Sequence, residues 1–194
     1  MAKANNNYYS VQKLTLGAML TALVILLQLI PGAVIRFGVF QVSLVLVPIV
    51  VGAAICGPYI GAWLGFVFGM VVLLNGDAAP FYAVSPVGTV LTVLLKGALA
   101  GLAAGLVFRW LSGYNVYLGV IAAAVVCPVV NTGVFLLGCL LFFLPTLTEW
   151  AGGQNVYEYM ILGLVGGNFL FELGFNVLLS PIILRLLRIS KKMH

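Results

Sequence analysis

Two ionisable side chains sit where water should not reach. Glu172 lies within an apolar run from Tyr157 to Leu187, and Lys96 within another from Val87 to Trp110. Asn168, Glu172 and Asn176 fall at i, i+4 and i+8, so on a helix they share one face. Every residue between them is apolar or glycine. A carboxylate at the centre of a bilayer costs roughly 2.5–3.5 kcal/mol on insertion scales. It persists where something pairs with it or where it faces a wet cavity. An ammonium that can meet a carboxylate, beside amides that can hydrogen-bond, is chemistry suited to gripping a small polar molecule.

Depth brings further groups into the same region. At a rise of about 1.5 Å per residue, Lys96 lies ~14 Å below the outer end of its run. Asn168 lies ~16 Å deep, Glu172 one turn further, and Asn131-Thr132 ~18 Å deep on a third run. The functional reading is a ligand site made of Lys96, Asn131, Thr132, Asn168 and Glu172. The structural alternative is an internal Lys96–Glu172 pair, with Asn131 bonding across helices.

The elements that must hold these groups follow from composition. Of 194 residues, 63% are hydrophobic and 7% charged, with mean hydropathy +1.21. Soluble chains carry about 25% charged residues. The expected fold is all-α: a polytopic membrane protein in which 1–194 form a single membrane domain, a bundle of six transmembrane helices. The expected spans are about 11–30, 42–56, 59–74, 87–110, 117–144 and 157–187. Pro31-Gly32 ends the first, Gly57-Pro58 separates the second and third as two short helices with a tight turn, and Pro128 is a kink candidate in the fifth. The first ten residues read as a loose or interfacial segment. The first apolar run carries no convincing signal-peptidase site and reads as a retained helix.

Charge sets orientation. With six spans, Lys3, Lys13, Arg109, Arg185, Arg188, Lys191 and Lys192 share one side, and Arg36, Asp77, Glu149 and Glu158 the other. The positive-inside bias puts both termini in the cytoplasm. The three longer aromatic-rich loops, 31–41, 75–86 and 145–156, then face outward, which suggests a site opening to the outside. Their aromatics, among them Phe37, Phe40, Phe81, Tyr82, Trp150, Tyr157 and Tyr159, read mostly as interfacial anchors.

Several functions are disfavoured. The sole histidine is His194, so an intramembrane His base or His ligand is unavailable, and Glu172 alone cannot form a carboxylate dyad. Cys56, Cys127 and Cys139 lack metal-ligand spacing and read as small buried hydrophobes. No phosphate-binding G-x-x-x-x-G-K-[ST] occurs, and the positive charge follows membrane topology rather than a nucleic-acid surface. Neither enzyme activity, cofactor nor metal is expected. Gly61, Gly65 and Gly69, and again Gly97, Gly101 and Gly105, recur every four residues and read as close-packing helix faces.

The ordered motifs together resemble a known family. Ala18 and Ala22 make an A-x-x-x-A face on the first span. Val42–Gly69 carries Cys56-Gly57-Pro58-Tyr59-Ile60-Gly61-Ala62 at its centre. Leu95-Lys96-Gly97-Ala98-Leu99-Ala100-Gly101-Leu102, Asn131-Thr132 and Asn168-x-x-x-Glu172 follow. The pattern resembles the substrate-binding S component of energy-coupling factor (ECF) vitamin transporters, over nearly the whole chain. That resemblance implies an importer subunit that captures a vitamin or vitamin precursor from outside. It implies docking through the first helix, by Ala18 and Ala22, onto a membrane coupling subunit (T component) driven by two cytoplasmic ATPases. It also implies that the subunit topples in the membrane to release its ligand, and a bacterial plasma-membrane location. With a basic residue on the fourth span and Asn-Thr on the fifth, the chain resembles pantothenate members of the family first and riboflavin members second. A free-standing secondary transporter, or a structural membrane protein, are the competing readings. Under the docking role Ala18→Arg impairs uptake of radiolabelled vitamin by cells carrying the whole transporter, and undisturbed uptake counts against it.

Overall fold

The computed structural model describes the backbone of residues 2–29, 34–37 and 40–192, and the side chains of 11–29 and 44–188. Helix α1 (Ala2–Leu29) is followed by a hairpin of β1 (Val34–Phe37) and β2 (Phe40–Ser43), then by α2 (Leu46–Ile55), α3 (Pro58–Leu74) and α4 (Ala79–Val84). Next come α5 (Pro86–Leu111), α6 (Val116–Phe142) and α7 (Leu144–Trp150). The chain closes on α8 (Val156–Glu158), a π-helical segment (Tyr159–Gly166) and α9 (Gly167–Lys192). Four helical stretches are long and apolar enough to cross a membrane: Val11–Leu29, Pro86–Leu111, Val116–Phe142 and Val156–Arg188. Leu46–Ile55 and Pro58–Leu74 are shorter apolar helices.

Several boundaries differ from the sequence expectation. The N-terminal segment read as loose is helical from Ala2. The fold is helical apart from the antiparallel hairpin, in which Val34 faces Ser43 and Phe37 faces Phe40. The expected second span therefore loses its first residues to β2 and a turn. The run from Val42 is rich in β-branched residues, and a short apolar run of that kind suits strand or helix equally. What remains of it, α2, has ten residues. Leu46, Ile49 and Val50 are fully buried. A helix apolar on every side belongs in a core, and α2 forms the centre of the main hydrophobic cluster. The loops at 75–86 and 145–156 each contain a short helix, α4 and α7. Pro31 and Gly32, and the side chains of Arg36, Phe37 and Phe40, lie outside the described residues, as do those of Lys3, Lys191, Lys192 and His194.

The tight turn between α2 and α3 is present. Gly57 adopts φ 108°, a conformation side chains resist, and Pro58 opens α3 where its missing N–H costs nothing. Helix α3 then packs antiparallel on α5 along the two glycine stripes. A Cβ on Gly65 would strike the carbonyl of Gly97, and one on Gly97 the carbonyl of Gly65. Gly61 and Gly101 face each other in the same way, and a Cβ on Gly69 would come 2.7 Å from the Val93 carbonyl oxygen. Backbones in contact gain dispersion energy that lipid tails cannot supply. On α6, Pro128 is buried within a helix that continues through it. In the π segment a Cβ on Gly166 would come 2.7 Å from the Ile161 carbonyl, so this wide turn depends on glycine.

These contacts fix an expected result. Gly65→Ala forces α3 and α5 apart and costs about 1–3 kcal/mol. Gly133→Ala enters open space and leaves stability unchanged or raised. Thermal unfolding of both variants in detergent checks the pair.

Candidate functional site

All five ligand-site residues expected from sequence line one cavity of about 280 Å³. Lys96 comes from α5, Asn131 and Thr132 from α6, and Asn168 and Glu172 from α9. The cavity lies toward the bundle end that carries α4 and α7. Asn176, on the same α9 stripe, does not line it. Its Nδ2 donates to the backbone carbonyl of Glu172 at 2.9 Å, so it braces the turn that presents the carboxylate.

Lys96 is positioned by the glycine seam. Its neighbour Gly97 sits against Gly65, which leaves Phe68 of α3 beside the lysine. The Lys96 Nζ lies 5.8 Å from the Phe68 ring centroid and 5.1 Å from that of Phe135. A desolvated cation between aromatic faces gains about 2 kcal/mol. The carboxylates of Glu172 and Asp77 are close enough to act on its charge. Among the described residues no ion pair joins Lys96 to Glu172. The two groups face one space without closing on each other.

Several lining residues were not named as site residues from sequence. Gln28, in the last turn of α1, and Asp77, in the turn after α3, are joined by a bond of 2.8 Å from Gln28 Nε2 to Asp77 Oδ2. Thr89 and Thr92 of α5 are buried on the same wall. Phe81 of α4 makes edge-to-face contacts with Phe135, Phe143 and Trp150 at 5.6, 5.1 and 5.6 Å. Those rings tie the 75–86 connection to the 145–156 connection beside the cavity. The missed signal was depth: a glutamine near the end of an apolar run invited the reasoning given to Asn131.

Three buried oxygens on the lining residues accept no hydrogen bond: Gln28 Oε1, Thr92 Oγ1 and Asn131 Oδ1. Buried acceptors are normally satisfied, and each orphan costs about 1–3 kcal/mol. All three belong to residues that line the same cavity. Among the described residues no group of His, Cys, Asp and Glu could hold a metal ion.

The family model described as ECF transporter, substrate-specific component, matches residues 12–184. The chain belongs to this family. No curated protein matches it in sequence. The S component is thus a multi-pass membrane protein, and its family supplies the substrate-binding subunit of ECF importers, a transport role rather than an enzyme class. Members generally pair with a T component and ATPases. Ala18 and Ala22 stand away from the cavity, exposed on α1 one turn apart.

The orphan oxygens carry an expected outcome for the S component. Asn131→Leu removes an acceptor that has no donor, so the ligand-free protein keeps or raises its thermal midpoint in detergent. A fall of several degrees would show that Asn131 is a structural bond rather than a binding group.

Proposed function

We propose that this chain captures a vitamin or vitamin precursor from the extracellular side for an ATP-driven ECF importer, with pantothenate the first candidate and riboflavin the second. The observation that carries this reading is the convergence of Lys96, Asn131, Thr132, Asn168 and Glu172, from three helices, on one cavity. A ligand carboxylate takes Lys96, whose ammonium no acidic side chain among the described residues engages directly. Glu172 and Asn131 then accept from hydroxyl or amide groups of the same molecule. The cavity volume, about 280 Å³, falls just below the ~300–1,000 Å³ typical of ligand pockets, which favours pantothenate over a fused three-ring flavin.

The remaining parts follow the same scheme. Six membrane passages, counting α2 with its hairpin and α3 as short ones, leave both termini in the cytoplasm of a bacterial cell. The cavity end with α4 and α7 then faces the medium. The exposed Ala18 and Ala22 offer the T component a surface it can approach closely, and two ATPases drive the cycle.

Native mass spectrometry of detergent-purified protein identifies the molecule that travels with it. Titration of pantothenate into wild type and Lys96→Met gives a dissociation constant roughly 10–100-fold weaker for the variant. Equal affinities with an unchanged thermal midpoint would remove Lys96 from the site.

A further inference from the structure

We infer that Gln28 and Asp77 form a second recognition pole on the cavity lining, which takes an O–H or N–H donor of the ligand whose acceptor end Lys96 holds. This rests on the transport reading above and narrows its substrate class. Gln28 is 6% exposed in the last turn of a helix whose neighbouring residues are leucines. Its amide orientation is set, because Nε2 donates to Asp77 Oδ2 at 2.8 Å. Oε1 is therefore the atom left over, buried and without a donor. Asp77 is itself held in place. Asn75 Nδ2 donates to the same Oδ2 at 2.9 Å, and the Asp77 backbone N–H donates to Asn75 Oδ1 at 3.1 Å.

The fixed Gln28 Oε1 and the Asp77 carboxylate beside it are acceptors, whereas Lys96 presents donors only. The ligand that satisfies both carries a carboxylate or other acceptor for Lys96 and a hydroxyl or amine for Gln28 Oε1. A compact acid with one polar end leaves Gln28 Oε1 unsatisfied. Sites built to bond a hydroxyl reject the analogue that lacks it, because their own buried groups are then stranded.

The test compares each vitamin with its stripped counterpart: pantothenate with the analogue lacking its primary hydroxyl, and riboflavin with lumiflavin, which has methyl in place of the ribityl chain. Isothermal titration in detergent uses wild type, Gln28→Met, Asp77→Asn and Lys96→Met. Wild type prefers the hydroxylated ligand by roughly 10–100-fold. In Gln28→Met that preference collapses to within about twofold, and in Asp77→Asn it shrinks, whereas Lys96→Met weakens both ligands and keeps the ratio. Each ratio is taken within one protein, so partial unfolding of a variant cancels. A wild type indifferent to the hydroxyl, or a ratio that survives Gln28→Met, overturns the second pole alone. A wild type that binds neither vitamin overturns the vitamin reading and the pole with it.

Discussion

The backbone-to-backbone contact of α3 with α5 is the constraint from which the rest follows. In a membrane, apolar side chains gain little by leaving lipid for protein, so helices associate where they fit closely. Gly61, Gly65 and Gly69 remove every side chain from one face of α3, and Gly97, Gly101 and Gly105 do the same on α5. The helices meet in a single register. That register sets Lys96 beside Phe68 and turns it toward α6 and α9, where the amides and Glu172 wait. An ammonium in an apolar bundle is held in place by the glycines next to it.

Against that rigid pair, the other wall is irregular. The π-helical turns at Tyr159–Gly166 lead directly into the stretch bearing Asn168 and Glu172. Leu164 and Val165 of the wide turns line the cavity themselves. Wide turns of this kind occur often at functional sites. The cavity thus has one side built from close glycine packing and another built from a helix that departs from regular geometry.

Much of the site was legible in the sequence because its residues break a strong pattern. Lys96 and Glu172 stand out in apolar runs, and the four-residue spacing of Asn168, Glu172 and Asn176 reads directly as a helix face. The Gly57-Pro58 turn and the glycine stripes were equally plain. Gln28 and Asp77 were hidden for a physical reason. Their bond joins residues 49 positions apart, and Asp77 sits in an Asn-Gly-Asp turn whose local chemistry already explained its presence. The hairpin was hidden because β-branched apolar residues serve strand and helix alike. The wide turns before Asn168 leave the pattern of apolar residues unchanged, so periodicity could not find them.

The ring of Phe81 bears on how easily this end of the bundle opens. It meets Phe135 of α6, Phe143 just after that helix, and Trp150 of the 145–156 connection edge to face, with centroids 5.1–5.6 Å apart. Contacts of this kind are worth about 0.5–1.5 kcal/mol each beyond the area they cover. Together they amount to a few kcal/mol, a barrier that ordinary thermal motion crosses. Fastening of that size lets this part of the bundle open locally while the glycine seam between α3 and α5 stays closed.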